Sequence, residues 1–183
     1  MRSQAKPPWT LRTATTADQA LLSHWDEQPQ VRAAMPNSQR DWAVELAREL
    51  PWRQYLIAEL AGRPVAFIEL LDAHRDDEQY WGACPAGTRA LDIWIGEAAD
   101  LGQGYGAQIM ALALQRLFDD PATTEVLLDQ LAENTRAHDF YRRLGFEFIG
   151  KRRFEEDDCS IFRLSRQAWL AHQDSQSKPE ANS

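Results

Sequence analysis

Asp92 lies in the middle of Thr88–Ile95, where Leu91, Ile93 and Ile95 alternate with Asp92 and Trp94. A period of two is the signature of a half-buried strand, and it sets this carboxylate on the face opposite three aliphatic side chains. A carboxylate there is costly unless it is paired or hydrogen-bonded. Two readings follow. Asp92 could hold a structural ion pair with Arg89 or Arg136, or it could be a working group that anchors an ammonium or accepts its proton, its pKa raised by burial. Asp129 is a second carboxylate of this kind, at the end of the strand-like run Glu125–Gln130, where a neighbouring parallel strand would splay to admit substrate. Between the two, Leu101–Gly106 reads Leu-Gly-Gln-Gly-Tyr-Gly and opens a long amphipathic run. Glycines let the backbone turn sharply and bring N–H groups close to an anion, and a following helix adds orphan donors and the positive end of its dipole. The chemistry this suggests is a pyrophosphate cradle for a nucleotide-derived cofactor; the alternative is a simple turn.

These residues need elements to position them. Trp9–Thr13 reads as a first strand, and Thr16 as the N-cap of a helix carrying Leu21, Leu22 and Trp25. Ser38 is placed to cap a second helix with Trp42, Leu46 and Leu50 as its stripe. Tyr55–Leu60 and Pro64–Leu71, joined by Ala61-Gly62-Arg63, form a β-hairpin pattern. Asp72–Glu78 is an acidic loop and Trp81–Gly87 is irregular. After the glycine loop, Met110, Leu114 and Leu117 mark a helix that ends near Asp119-Asp120-Pro121. Asn134 caps another, with Ala137, Phe140, Tyr141 and Leu144 inward and Gly145 as its stop. Phe146–Phe154 and Ser160–Leu164 are strands around an acidic turn, Glu155–Asp158, and a short helix is expected near Arg166–His172. The order is that of an α/β protein, a mixed sheet of about seven strands with helices on both faces. One domain is expected over residues 1–172, with a disordered polar tail from Gln173 to Ser183.

The bulk numbers bound the partners. A chain of 183 residues with 44% hydrophobic and 26% charged content suits one soluble domain. A net charge of −8 speaks against nucleic acid and suits a cationic ligand, or serves solubility alone. No stretch reaches membrane-spanning length, and Met1–Pro8 lacks the apolar core of a secretory signal. Cys84 and Cys159 are read as free thiols in a reducing cytoplasm. His24, His74, His138 and His172 show no ligand spacing, so no metal is expected.

Taken together, strand, Gly-Gln-Gly-Tyr-Gly, helix, strand, then Asn134 and Tyr141-Arg-Arg-Leu-Gly-Phe146 resemble the Gcn5-related N-acetyltransferase superfamily across Trp9–Leu170. Leu11-Arg-Thr with His24-Trp25, Leu117-Phe-Asp-Asp-Pro121, Asp129 with Asn134, and Ser165-Arg-Gln-Ala-Trp169 resemble its aminoglycoside 6′-N-acetyltransferase branch. The superfamily loop commonly opens with Gln or Arg, where this chain has Leu101; the backbone donors are unaffected.

The resemblance implies acetyl-CoA as co-substrate, held by Ile93, Trp94, Ile95, Gly102, Gln103, Gly104, Tyr105, Gly106, Asn134 and Tyr141. It implies catalytic roles for Asp92, Asp129 and Tyr141, the tyrosine protonating the leaving thiolate. Trp25, Asp92, Trp94, Asp129 and Glu156 would meet a small cationic amine, the 6′-amine of an aminoglycoside being the acceptor favoured. Siderophore-biosynthesis acyltransferases of the superfamily typically carry His at the position of Asp92. Each residue has a plainer reading: core packing for Tyr141, helix capping for Asn134, a solvated turn for Glu155–Asp158. Rival functions are acetylation of a protein N-terminus, polyamine or siderophore precursor, or an acyl-CoA-binding module without turnover. A monomer or homodimer is expected.

Overall fold

A computed structural model describes residues 8–36, 40–154 and 156–177. The hairpin Arg53–Leu60 (β2) and Arg63–Asp72 (β3) turns at Ala61-Gly62, whose φ values of 51° and 79° give the tight two-residue reversal that matches strand twist. Arg63, expected in the turn, pairs with Leu60 instead. Trp9–Thr13 (β1) adds antiparallel to β2.

The chain then enters a single 3₁₀ turn, Thr16–Asp18, and the helix Gln19–Asp26 (α1). Thr15, rather than Thr16, is the capping residue: its N–H donates to Asp18 Oδ2 at 2.8 Å, closing a capping box. Arg12 of β1 grips the same carboxylate with two hydrogen bonds of 2.7 and 2.8 Å, so strand and helix start are fixed together. A helix not anticipated, Pro29–Ala34 (α2), has Pro29 in its first turn, where a missing N–H costs nothing. Trp42–Ala47 (α3) is capped by Asp41, which accepts from the Ala43 and Val44 amides; Ser38 lies outside the described residues, and Leu50 falls beyond the helix end.

Thr88–Ile95 (β4) has the bounds expected and leads through the 3₁₀ turn Ala98–Asp100 to Tyr105–Phe118 (α4). Glu125–Leu131 (β5), Thr135–Arg143 (α5), Glu147–Phe154 (β6) and Asp157–Ser165 (β7) follow. Asp157 and Asp158, expected in the acidic turn, belong to β7, Glu156 is in a turn, and Glu155 lies outside the described residues. On α5 the buried side chains are His138 and Tyr141, with Ala137, Phe140 and Leu144 only half-buried. His138 owes its place to a hydrogen bond between Nε2 and the Leu131 carbonyl, 3.0 Å. The last helix, Arg166–Ser177 (α6), takes in residues 173–177 of the segment read as a disordered tail; residues 178–183 lie outside the described ones.

The strands form one seven-stranded mixed sheet in the order β1-β2-β3-β4-β5-β7-β6, parallel at β4–β5 over Thr88–Ala90 and Glu125–Leu127. Two compact units are distinguishable. One comprises Met1–Leu71 with Asp92–Gln115, the other Asp72–Leu91 with Arg116–Ser183. The first has a core of Ala14, Leu22, Trp25, Val31, Trp42, Ile57, Phe67 and Trp94. In the second, Val126, Leu128, Phe162 and Leu164 are buried along the β5–β7 pair, and Trp169 of α6 stacks on Phe118.

Candidate active site

In the first unit Asp92 is half-buried; in the second, Arg89 binds Asp72 (3.0 Å) and Asp120 (3.1 Å). The negative charge of Asp92 helps to hold the charge on Arg40. The Arg40 guanidinium lies over three aromatic rings, 5.2 Å from the centroid of Trp94, 5.6 Å from Trp42 and 5.9 Å from Phe67. Its Nη2 donates to Glu69 Oε2 at 2.9 Å. Glu69 is itself buried, with Arg53 Nη1 3.9 Å from its other oxygen. Beside this pair, Asp26 accepts a hydrogen bond from Trp42 Nε1, and Glu45 takes one from the Tyr55 hydroxyl (2.9 Å) and an ion pair from Arg53 (2.6 Å).

The electrostatics follow from burial. Loss of water pushes the Glu69 carboxyl above the usual carboxylate range; Arg40 pulls it back, and the negative charge of Asp92 pushes it up again. Burial likewise lifts Asp26, against the hydrogen bond from Trp42. Burial works against the charge on Arg40, but Glu69 and Asp92 more than restore it. The cluster holds four carboxylates, Asp26, Glu45, Glu69 and Asp92, against two guanidiniums, Arg40 and Arg53, and is therefore suited to a cationic ligand. Sequence reading found Asp92 and missed Glu69 and Arg40. Glu69 carried the same signal, a single carboxylate inside the apolar run Val65–Leu71.

The tryptophans expected to line a pocket divide. Trp94 belongs to this aromatic group, 4.3 Å from Phe67 between centroids, and its Nε1 has no acceptor among the described residues. Trp25 is corrected: at 0% exposure it offers no surface to a ligand. Its ring fills the space against Gly96, where an added Cβ would stand 2.0 Å from Cε2, and its Nε1 donates to Glu97 at 3.2 Å.

The glycine loop lies in the same unit. Gly102 and Gly104 have φ of +74° and +76°, conformations that disfavour any side chain, and no atom lies within 4 Å of where their Cβ would be. Leu101 to Gly104 are exposed and no acidic residue sits in the first turn of α4, so the peptide donors meet open space without a competing charge. Asp100 is neutralised by two 2.8 Å hydrogen bonds from Arg63, which also ties the loop to the start of β3. Trp9 braces the helix start, edge-on to Tyr105 and bonded to Gln108. A pyrophosphate fits such a cradle. Ile93 and Ile95 are half-buried on β4.

In the second unit, Asp129 sits near the end of β5. The Tyr80 hydroxyl donates to its Oδ2 at 3.2 Å, and the Cys159 thiol donates as well. Burial dominates and raises the Asp129 carboxyl despite both donors; in return the Cys159 thiol is pushed up to about 12 by burial and by Asp129, so it stays protonated. Tyr80 is held by a parallel stack on Phe154, 4.2 Å between centroids. Tyr141 is buried against Phe146 and Phe162. Asn134 caps α5 through Ala137 N–H and donates to Gln130. Glu156 is exposed in its turn. Among the described residues, no three His, Cys, Asp or Glu side chains are grouped to hold a metal ion.

Comparison with known proteins gives this arrangement its context. Residues 14–154 match the acetyltransferase (GNAT) domain family. Aminoglycoside N(6′)-acetyltransferase type 1 of Klebsiella pneumoniae is 26% identical over 151 residues, spanning 77% of this chain and 75% of that protein. The lysine N-acyltransferase MbtK of Mycobacterium tuberculosis is 25% identical over 160 residues, 80% of this chain and 72% of that protein. The crystal structure of aminoglycoside acetyltransferase AAC(6′)-Ib with coenzyme A and kanamycin superimposes with a TM-score of 0.81 at 25% identity, covering 91% of this chain and 99% of that one. The chain belongs to the GNAT acetyltransferase family, and it is an acetyl-CoA-dependent N-acetyltransferase of that type.

Proposed function

We propose that the chain transfers acetyl from acetyl-CoA to a primary amine of a small polycation, the 6′-amine of an aminoglycoside, by direct attack in a ternary complex in the cytoplasm. The observation that carries this reading is the excess of carboxylates over guanidiniums around half-buried Asp92, set among aromatic rings: that environment favours ammonium groups. The relatives that bind or modify aminoglycosides support it.

The residues take these parts. The peptide N–H groups of Gln103 to Gly106 receive the pyrophosphate at the start of α4. Bound there, acetyl-CoA supplies an activated thioester. Asp92 or Asp129 accepts the ammonium proton, directly or through one water; burial has raised Asp129 toward that task. The free amine attacks the carbonyl carbon, forming C–N as C–S breaks, and the acylated nitrogen gives up its extra proton to water. A β4 backbone N–H holds the carbonyl oxygen while charge develops on it, and Tyr141 protonates the thiolate. Glu156 and Asp129 bind further ammoniums.

A second reading is favoured by the match to a lysine N-acyltransferase: the acceptor is a hydroxamate-type siderophore precursor. Asp92, in place of the His typical of that branch, weighs against it. Acetylation of kanamycin in competition with a lysine-derived acceptor decides between them: kanamycin preferred by k_cat/K_M supports the first reading, the lysine derivative preferred supports the second.

A further inference from the structure

Arg40 is an unusual occupant of an acidic site. It stands where three aromatic faces and the carboxylates Glu69, Asp92 and Asp26 converge, the surroundings that recognise an organic cation. Yet it is held incompletely. Among the described residues Nη2 donates to Glu69, while Nη1 is buried with no partner. Trp94 Nε1, on a residue only 6% exposed in the same group, also has no partner among the described residues. Buried donors left unpaired are penalised, so this packing is one that a better-fitting ligand can replace. The guanidinium side chain retains 23% exposure, whereas Glu69 beneath it has 7%. Arg40 is the more exposed side chain of the pair, although its Nη1 is buried.

We propose that Arg40 is a resident stand-in for the acceptor's cation, and that acceptor selectivity is set by competition with it. This rests on the reading that Asp92 faces an amine acceptor. A single ammonium gains little by displacing a guanidinium already stacked and paired. A polycation gains more, because one ammonium replaces Arg40 beside Glu69 while another remains for Asp92. Arg40 thereby discriminates against monoamines and favours acceptors with several closely spaced ammoniums. Released, its guanidinium carries to the surface a positive charge that suits the hydroxyls of an amino sugar better than a bare polyamine.

The test is calorimetric binding of kanamycin and of a monoamine sugar to the wild type, Arg40→Gln and Arg40→Lys. Arg40→Gln removes the competitor and tightens the monoamine by about tenfold or more, the scale of one desolvated cation–aromatic contact, narrowing the polycation preference. Arg40→Lys loses the planar stacked fork and moves in the same direction by less. A purely structural Arg40 predicts the reverse, since either change leaves Glu69 poorly paired and loosens the site. Indole emission gives an independent readout: kanamycin lifts the guanidinium from Trp42 and Trp94 in the wild type, and that change in emission is lost in Arg40→Gln. Kanamycin and monoamine binding unchanged or weakened in both variants overturns the inference while leaving the acceptor reading intact. No binding of any cationic probe by any of the three proteins overturns both.

Discussion

The hydroxyl of Tyr80 donates to Asp129 at 3.2 Å from a ring stacked parallel on Phe154, so an exposed residue is tied to a half-buried carboxylate. The bond favours the ionised carboxylate and opposes the upward pull of burial. Tyr80→Phe keeps the stack and removes the donor, so the Asp129 carboxyl rises further. If Asp129 must be ionised for turnover, the acidic limb of the kcat/KM profile moves to higher pH, because a hydrogen bond to the charged form has been lost. A profile that does not move removes Asp129 from the proton path.

Burial also links Asp129 to stability. Its folded-state pKa is raised above the unfolded value, so the folded protein binds that proton more tightly. Its contribution to stability is therefore largest at acidic pH and falls as pH rises from the ordinary carboxylate range through the raised value. Asp129→Asn has no such charge to bury. At neutral pH it should be more stable than the wild type by about 1 kcal/mol, and turnover should drop by about 100-fold if the carboxylate is the base. Thermal melts at pH 5 and pH 8 check the first part, the wild type losing ground to the variant between them.

Gly96 is the position least able to accept a side chain. An added Cβ would meet the Trp25 ring at 2.0 to 2.2 Å, and that ring is fully buried. Gly96→Ala should destabilise the fold by about 3 kcal/mol, read as a lowered denaturant midpoint with unchanged slope.

Gly104 differs. A methyl group there would meet nothing within 4 Å, but φ of +76° strains any L side chain. Gly104→Ala should cost about 1 kcal/mol of backbone strain and raise the K_M for acetyl-CoA several-fold, with acceptor K_M little changed. Equal changes in both K_M values would show that the loop does not serve the cofactor alone.

The pattern of period two made β4 legible to the residue, and glycines with orphan donors marked the loop and α4. Asn134 and Gly145 bracketed α5 because capping chemistry is local. What sequence could not place were side chains whose role comes from distant partners. Arg40 precedes a short helix and has no pattern of its own; Glu69 brings it into the site from another element. Trp25, which the resemblance assigns to the acceptor, is buried against Gly96, a contact with a distant residue that no local pattern announces. Arg89, the second residue of β4 and three from Asp92, pairs with Asp72 and Asp120, because odd spacing on a strand sets side chains on opposite faces.

The most direct test measures free-thiol release from acetyl-CoA with matched aminoglycosides bearing either an amine or a hydroxyl at the 6′ position, for the wild type and Asp92→Asn. The account predicts thiol release with the 6′-amine only, and turnover depressed at least about 100-fold in Asp92→Asn while acetyl-CoA still binds. Equal release with both compounds, or full turnover in Asp92→Asn, would contradict it.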